Sequence, residues 1–202
     1  MRFIYIGLLF TVFSCSTQDR EKSNELNKKG TDYYFKAMSN MVYSDHDDKK
    51  VFTDSCFCFM SQAIKADSSN KSAYWNKMGF EFGLKEFEDA KTTAWLYYKK
   101  FNDPIGLMRL GAIYYQLNDS VKSKEYFRQA LDFYDNGMKS GKLVKDSILL
   151  DLTMVNLANN NIDDARDYYE RYRATYRGQM TFKDVDFDSA RQIFMGDTGN
   201  AR

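Results

Sequence analysis

Apolar residues recur every three or four positions along most of the chain, with polar residues between them. The clearest stretches cover residues 73–98 and 105–131. A repeat near 3.6 residues places apolar side chains on one face of an α-helix, where they can pack against a neighbouring helix. The 202 residues include one proline and 11 glycines, a composition that favours helices over a turn-rich β-fold. The pattern therefore predicts an all-α protein.

The two clear stretches also share a longer pattern. A large apolar residue is followed by another apolar residue, then by a glycine, and then by an aromatic residue three positions after the glycine. These residues are Trp75, Met78, Gly79 and Phe82 in the first stretch, and Leu107, Leu110, Gly111 and Tyr114 in the second. Small residues follow in the next helical stretch, at Ala90, Ala94, Ser123 and Ala130. This spacing resembles the tetratricopeptide repeat, a helix–turn–helix unit. The resemblance implies that Gly79 and Gly111 let paired helices approach closely.

Weaker copies of the pattern flank the two clear ones. Their matching residues are Leu149, Leu152, Ala165, Tyr169 and Tyr172 on the C-terminal side, and Leu26, Gly30, Tyr33, Cys56, Met60 and Ala63 on the N-terminal side. Polar insertions at residues 44–50 and 136–142 lengthen the spacing. The resemblance implies a tetratricopeptide-like α-solenoid of about four helix pairs over residues 24–176. The alternative is an irregular helical bundle with coincidental spacing.

The repeat pattern is lost in the C-terminal segment, residues 177–202. Residues 182–194 predict one short helix that begins at Asp186 or Asp188. Arrays of repeats need an atypical end piece to cover the last apolar face. The residues expected to provide this cap are Phe187, Ile193 and Phe194.

The N-terminal segment has the pattern of a targeting signal. Residues 3–13 are uncharged, but this run is shorter than the roughly 20 residues that a membrane-spanning helix needs. The next residues, Ser14 and Cys15, resemble the signal of bacterial lipoproteins, in particular those of the Bacteroidota. The resemblance implies a leader over residues 1–14, acyl chains on Cys15, and a lipid anchor with a polar tether over residues 15–23. The expected location is the cell envelope, at the outer membrane, with its periplasmic or surface face left open. An ordinary secretory leader with a chance cysteine is the alternative.

Charge and composition exclude several classes of function. The chain has 29 basic and 28 acidic residues, so it lacks the basic excess that attracts nucleic acid. Its one histidine, His46, excludes a metal site with several histidines. Aspartates at 184, 186 and 188 have the spacing that begins a calcium loop. However, Ser189 and Met195 stand where that loop needs glycine and glutamate. No catalytic or cofactor motif is present, so we predict that the protein is not an enzyme and needs no cofactor.

The tetratricopeptide resemblance also implies which residues would line an inner groove. They are Asn76 and Phe80 in the second unit, Met108, Ala112 and Tyr115 in the third, and Leu150, Met154 and Leu157 in the fourth. Some family members bind a peptide carboxylate with a lysine and an asparagine at the first two of these positions. Here the pairs are Asn76 and Phe80, Met108 and Ala112, and Leu150 and Met154, so that clamp is absent. The lining is mostly apolar, and its two methionines can adapt to irregular partners. Either an apolar segment of a partner binds there, or the C-terminal helix over residues 183–194 fills the groove.

These observations favour an envelope lipoprotein that binds another protein or a peptide segment through its helical repeats. A glycan-binding accessory lipoprotein is a second hypothesis, because tyrosine rings can stack on sugars. It depends on the tyrosine pairs at 97–98, 114–115 and 168–169. A subunit or immunity factor of a secretion apparatus is a third hypothesis, which the sequence permits but does not favour.

Overall fold

The structure is a computed structural model that describes the backbone of residues 4–43, 46–176, 185–189 and 191. Within these ranges it contains helices and no strand, so the predicted all-α fold class is confirmed. The α-helices are α1 (Ile4–Tyr43), α2 (His46–Ala66), α3 (Lys71–Gly83), α4 (Phe87–Phe101), α5 (Ile105–Gln116), α6 (Ser120–Lys139), α7 (Leu149–Ala158) and α8 (Ile162–Tyr176). A 3-10 helix, Lys145–Ile148, precedes α7.

The helices belong to two compact units, an N-terminal unit of Met1–Asn102 and a C-terminal unit of Asp103–Arg202. In the N-terminal unit α1 packs against α2 and α3 packs against α4, while both α1 and α2 also contact α3. In the C-terminal unit α5 packs against α6, α6 contacts α7, and α7 packs against α8. Each unit therefore consists of two consecutive helical hairpins, which are the predicted helix pairs.

The turn inside a hairpin has the same geometry in three of these pairs. In each turn one backbone amide donates to the carbonyl four residues before it, and the amide two positions later donates to the carbonyl five residues before it. The donors and acceptors are Leu84 to Phe80 and Glu86 to Glu81 in the first turn, Leu117 to Ile113 and Asp119 to Tyr114 in the second, and Asn159 to Val155 and Asn161 to Asn156 in the third. The middle residue of each turn is left-handed, with φ of 67° at Lys85, 59° at Asn118 and 63° at Asn160. Because one unusual turn recurs at matching positions, the three hairpins are copies of one structural unit.

Small residues lie where the second helix crosses the first. Ala90, Ser123 and Ala165 hold the same position after the three turns, and all are buried. In α6 the Ser123 hydroxyl donates a hydrogen bond to the Gly111 carbonyl of α5, at 2.9 Å. A Cβ atom built at Gly111 would lie 2.9 Å from the Phe127 ring, whereas one at Gly79 would have no other atom within 4 Å. The close approach predicted at Gly111 is therefore confirmed, and the one predicted at Gly79 is wrong.

Both predicted insertions are largely helical, which corrects the sequence interpretation. Helix α2 already begins at His46, so residues 46–50 are helical, and the acidic Asp48 in the first turn favours this start. Helix α6 continues to Lys139. Its end is fixed because the chain folds back and places the Leu143 side chain in contact with Gly137.

Helix α1 includes the part of the chain for which a polar tether is predicted. Residues 17–22 are exposed, and Ser23 is fully buried. The Ser23 hydroxyl donates a hydrogen bond to the Ala63 carbonyl of α2, at 2.7 Å. Packing of the first hairpin therefore reaches back at least to Ser23.

The described part of the C-terminal segment covers the end of the last hairpin. Phe187 is 1% exposed and packs against Leu157, Ala165 and Tyr169. The Tyr169 hydroxyl donates to the Val185 carbonyl at 3.1 Å, and this bond fixes the segment on α8. The Asp186 carboxylate accepts the Ser189 amide at 2.7 Å, as predicted for the residue that begins the helix. Phe187 thus caps the α7–α8 hairpin as predicted, while Ile193 and Phe194 lie outside the described residues.

Candidate functional site

The first helices of the two N-terminal hairpins, α1 and α3, are joined by a row of side-chain pairs. The Asn76 amide donates a hydrogen bond to the Asn27 side-chain oxygen at 3.1 Å. Further along, the Phe80 ring stacks on Tyr34, with ring centroids 4.0 Å apart and an interplanar angle of 11°. The predicted groove residues Asn76 and Phe80 are therefore brought together with residues of α1 that the sequence analysis did not single out.

A third pair extends this row at the start of α3. Asn70 caps the helix, since its side-chain oxygen accepts the Ala73 amide at 3.1 Å. The same side chain donates to the Ser23 hydroxyl at 2.8 Å and to the Asn24 side-chain oxygen at 3.0 Å. One asparagine thus both begins α3 and binds it to α1.

The row has a simple origin in the sequence. Asn24, Asn27 and Tyr34 are three and seven residues apart, a spacing that keeps side chains on one side of a helix. Asn76 and Phe80 are four residues apart and share a side of α3. We call this row the α1–α3 surface and define it by Asn24, Asn27, Tyr34, Phe35, Asn70, Asn76 and Phe80. The helical spacing of the asparagines before Tyr34 is the sequence signal that could have revealed it.

The α1–α3 surface leaves polar groups and one ring open to a ligand. The Asn27 amide nitrogen and the Asn76 side-chain oxygen have no partner among the described residues. Phe35 lies edge-on to Tyr34, with centroids 5.6 Å apart, and is 63% exposed. The surface therefore combines hydrogen-bond donors and acceptors with an apolar ring, which is the combination that a polypeptide segment requires of a binding site.

The groove residues predicted in the C-terminal unit are only partly accessible. Met108 is 7% exposed, and its sulfur accepts a hydrogen bond from the Tyr134 hydroxyl at 3.5 Å. Leu157 is 4% exposed and belongs to the core cluster that contains Phe187. These two residues are core residues, because Tyr134 covers Met108 and Phe187 of the C-terminal segment covers Leu157, so neither is open to a partner. The remaining residues are half-buried Ala112, Leu150 and Met154 and exposed Tyr115.

A carboxyl group adjoins the buried Tyr134 in the same unit. The carboxylate of Asp151, in the first turn of α7, can accept the Tyr134 hydroxyl proton in place of the Met108 sulfur. Burial raises the pKa of Asp151 above its ordinary value, and the nearby charge of Asp103 raises it further. The Tyr134 hydrogen bond opposes this shift, because it stabilises the ionised form. The arrangement links α6 to α7 through a carboxyl that is costly to ionise.

A buried ion pair lies on another face of α3. Lys77 and Glu81 form the pair, and Lys77 also donates to the Thr93 hydroxyl of α4 at 3.2 Å. Glu81 is 1% exposed, and one of its oxygens has no hydrogen-bond partner among the described residues. Burial is the main cause that raises the pKa of Glu81, and the Lys77 charge opposes it. The pair was missed from sequence, although a lysine and a glutamate four residues apart in an aromatic-rich helix are its signal.

The thiol of Cys56 belongs to the same buried region. Burial raises the pKa of Cys56 to about 12, and the negative charge of Glu81 adds to this shift. A thiol with this pKa is protonated at neutral pH, so it behaves as a small apolar core group.

The tyrosine pairs mostly have covered rings. Tyr97 and Tyr169 are buried. Tyr114 stacks on Tyr126, with centroids 5.4 Å apart, and the Lys145 ammonium lies 4.7 Å from the centre of the Tyr168 ring. A sugar needs an open ring face for stacking, so these residues give the glycan hypothesis little support.

Across residues 4–43, 46–176, 185–189 and 191, no three histidine, cysteine or acidic side chains come together as metal ligands. Within the same described portion of the chain, none of the helices is both long enough and apolar enough to cross a membrane.

Comparisons with known proteins give a structural similarity only. No family model and no curated protein matches the chain. Five solved chains match it in structure. One comes from a structure described as the functional characterization of Pseudomonas aeruginosa pilF, with 17% identity and a TM-score of 0.37. The match covers 77% of this chain and 80% of that one. A likeness at this TM-score carries no argument about function, and the fold is established by the helix contacts and turns described above.

Proposed function

We propose that the protein is a lipoprotein of a bacterial outer membrane that binds another envelope protein through its α1–α3 surface. The observation that carries this proposal is that the α1–α3 surface combines the Asn27–Asn76 pair with the exposed Phe35 ring. An extended polypeptide offers backbone donors and acceptors to the unpaired amide groups. Its apolar side chains can cover the ring of Phe35.

The dimensions of the α1–α3 surface suit a short segment. Ten residues separate Asn24 from Tyr34, which corresponds to about 15 Å along a helix. An extended chain rises about 3.3 Å per residue, so four or five residues would span the row. We therefore expect the partner to contribute a segment of this length, with an apolar residue at the Phe35 end.

A protein ligand is favoured over a glycan on this surface. The rings of Tyr34 and Phe80 stack on each other, so each has one face covered by the other. Phe35 alone of these three rings is mostly exposed. Sugar-binding sites depend on open ring faces, whereas a peptide can use the amides and a single apolar contact.

The test of the α1–α3 surface removes both side-chain amides of the Asn27–Asn76 pair, so that neither is left without its partner. Asn27→Ala and Asn76→Ala are combined, because loss of both partners of a hydrogen bond changes stability little. The matched control is Gln62→Ala with Cys58→Ala, which removes a comparable exposed contact on α2. Partners are captured from envelope extracts, and the affinity of each recovered partner is measured with the purified variants. We expect about tenfold or greater loss of affinity for the Asn27/Asn76 variant alone. Equal binding by all variants would exclude the α1–α3 surface as the site.

The membrane anchor is a separate part of the proposal. It is supported by the uncharged run before Ser14 and by the position of Cys15. We expect the full-length protein to partition into detergent and to carry the added mass of acyl chains, whereas a Cys15→Ala variant does neither. A wild-type protein that is unmodified and stays in the aqueous phase would contradict the anchor but not the binding surface.

A further inference from the structure

The C-terminal unit contains a pocket whose lining shares no residue with the α1–α3 surface. It has a volume of about 420 Å³ and lies between α6 and the turn that joins α7 to α8. Its lining is Val121, Lys124, Glu125 and Arg128 from α6, and Ala158, Asn159 and Asn160 from the turn. The four α6 residues are spaced three, four and seven positions from the first, so they lie on one face of the helix. The pocket is thus formed by two elements that pack in one unit.

The basic groups of the pocket are not neutralised by the protein. Lys124 and Arg128 are exposed, and neither forms an ion pair or hydrogen bond with any described residue. The one acid in the lining, Glu125, accepts a hydrogen bond from Gln129 at 3.2 Å. Two basic residues and one acidic residue leave the lining with a net positive charge.

The turn opposite these groups supplies polar and apolar contacts. Asn160 is left-handed, with φ of 63°, and its side-chain amide has no partner among the described residues. The Asn159 side-chain amide donates to the Val155 carbonyl at 2.8 Å, and no described residue donates a hydrogen bond to its side-chain oxygen. Val121 is 76% exposed and supplies an apolar edge together with Ala158.

We propose that this pocket binds a glutamate or aspartate side chain in an acidic segment of a partner protein. The planar guanidinium of Arg128 can donate two parallel hydrogen bonds to a carboxylate, and Lys124 adds a second positive charge. The Asn160 amide is a further donor, and the apolar edge contacts the aliphatic part of the segment. This site is on the second helix of its hairpin and does not depend on the α1–α3 surface.

Charge balance favours a carboxylate over a phosphate. The lining carries one net positive charge, which matches a carboxylate with its single negative charge. A phosphate group on a protein carries about −1.5 to −2 charges at neutral pH, which exceeds the net charge of the lining, and Glu125 repels it more strongly than it repels a carboxylate. The pocket therefore has the charge and donors of a site for a monoanion.

The test uses short peptides and nuclear magnetic resonance of the full chain. The probes are acetyl-Ala-Glu-Leu-amide, the same peptide with glutamine in place of glutamate, and inorganic phosphate. We expect the glutamate peptide to shift the signals of the Arg128 guanidinium and the Asn160 amide saturably. We expect Arg128→Gln to weaken this binding about tenfold, as for loss of one charged hydrogen-bonding partner.

A matched variant makes the test specific. Lys139→Gln removes the same charge from the last turn of α6, outside the pocket, and should bind the glutamate peptide like the wild type. Circular dichroism checks that both variants are folded. Equal binding of the glutamate and glutamine peptides, equal loss in the two variants, or saturable phosphate binding without peptide binding would each overturn the carboxylate site.

Discussion

Two helix glycines of consecutive hairpins, Gly79 and Gly111, are expected to respond in opposite ways to the same substitution. Replacing glycine with alanine inside a helix gains about 1 kcal/mol, because it reduces the conformational freedom of the unfolded chain. This gain applies to Gly79→Ala and Gly111→Ala alike. At Gly79 the new Cβ would meet no atom within 4 Å beyond its chain neighbours and the backbone of its own helix, so the gain stands alone and the variant should be more stable.

At Gly111 the same Cβ would meet the Phe127 ring. Three ring atoms, including the one that joins the ring to its stem, would lie 2.9 Å away. Carbon atoms in contact are normally about 3.5–4.0 Å apart, so the ring must move. Overpacking of this kind costs about 1–3 kcal/mol. Because the helix contribution is common to both variants, Gly111→Ala should be about 1–3 kcal/mol less favourable than Gly79→Ala.

Urea unfolding measures this difference. Far-UV circular dichroism follows both variants, and tryptophan fluorescence reports the N-terminal unit because Trp75 and Trp95, the two tryptophans of the sequence, belong to it. A Phe127→Leu background should reduce the penalty of Gly111→Ala, since the ring that must move is gone. Equal shifts of the two single variants in the same direction would refute the reasoning.

Three further predictions concern single residues. Lys85→Asn should stabilise the N-terminal unit by about 1 kcal/mol in urea unfolding, because asparagine tolerates the left-handed conformation; a loss of stability would contradict this. Burial raises the pKa of Glu81, so the wild type loses stability as pH rises through the folded-state pKa. Glu81→Gln should therefore gain unfolding free energy relative to the wild type between pH 4 and pH 7, and an unchanged difference would be evidence against this account. Phe187→Ala should cost about 3–5 kcal/mol and increase hydrogen exchange in α7 and α8, whereas unchanged exchange there would show that Phe187 is not a cap.

The helix pairs could be predicted from sequence because their signals are local. Apolar spacing and small residues at crossing points are properties of short segments, and they identified Ala90, Ser123 and Ala165 correctly. Gly111 lies seven residues before the left-handed Asn118, and the residue in the same place before Lys85 is Met78, not Gly79. Phe127 lies four residues after Ser123, but Ala94 occupies the same place after Ala90. A glycine is needed only where the opposite side chain is large.

The candidate site was less predictable for the same reason. Met108 and Leu157 hold positions expected for groove residues. They are buried by Tyr134 and by Phe187, which lie about 25–30 residues further along the chain. The partners of Asn76 and Phe80 lie on α1, where the repeat pattern is weak. Spacing predicts the side of a helix on which a residue lies, but not the side chain that it meets.

The most direct test of the binding proposal is site-specific photocrosslinking in cells. A photoreactive amino acid replaces Phe35 on the α1–α3 surface or, as a control, Val51 on α2. The two side chains are similarly exposed, at 63% and 59%, so accessibility alone does not distinguish them. We predict a discrete crosslinked protein from position 35 and none from position 51, with the crosslink lost in the Asn27→Ala/Asn76→Ala variant. The same crosslinks from both positions, or none from position 35, would contradict the claim that the α1–α3 surface binds a protein partner.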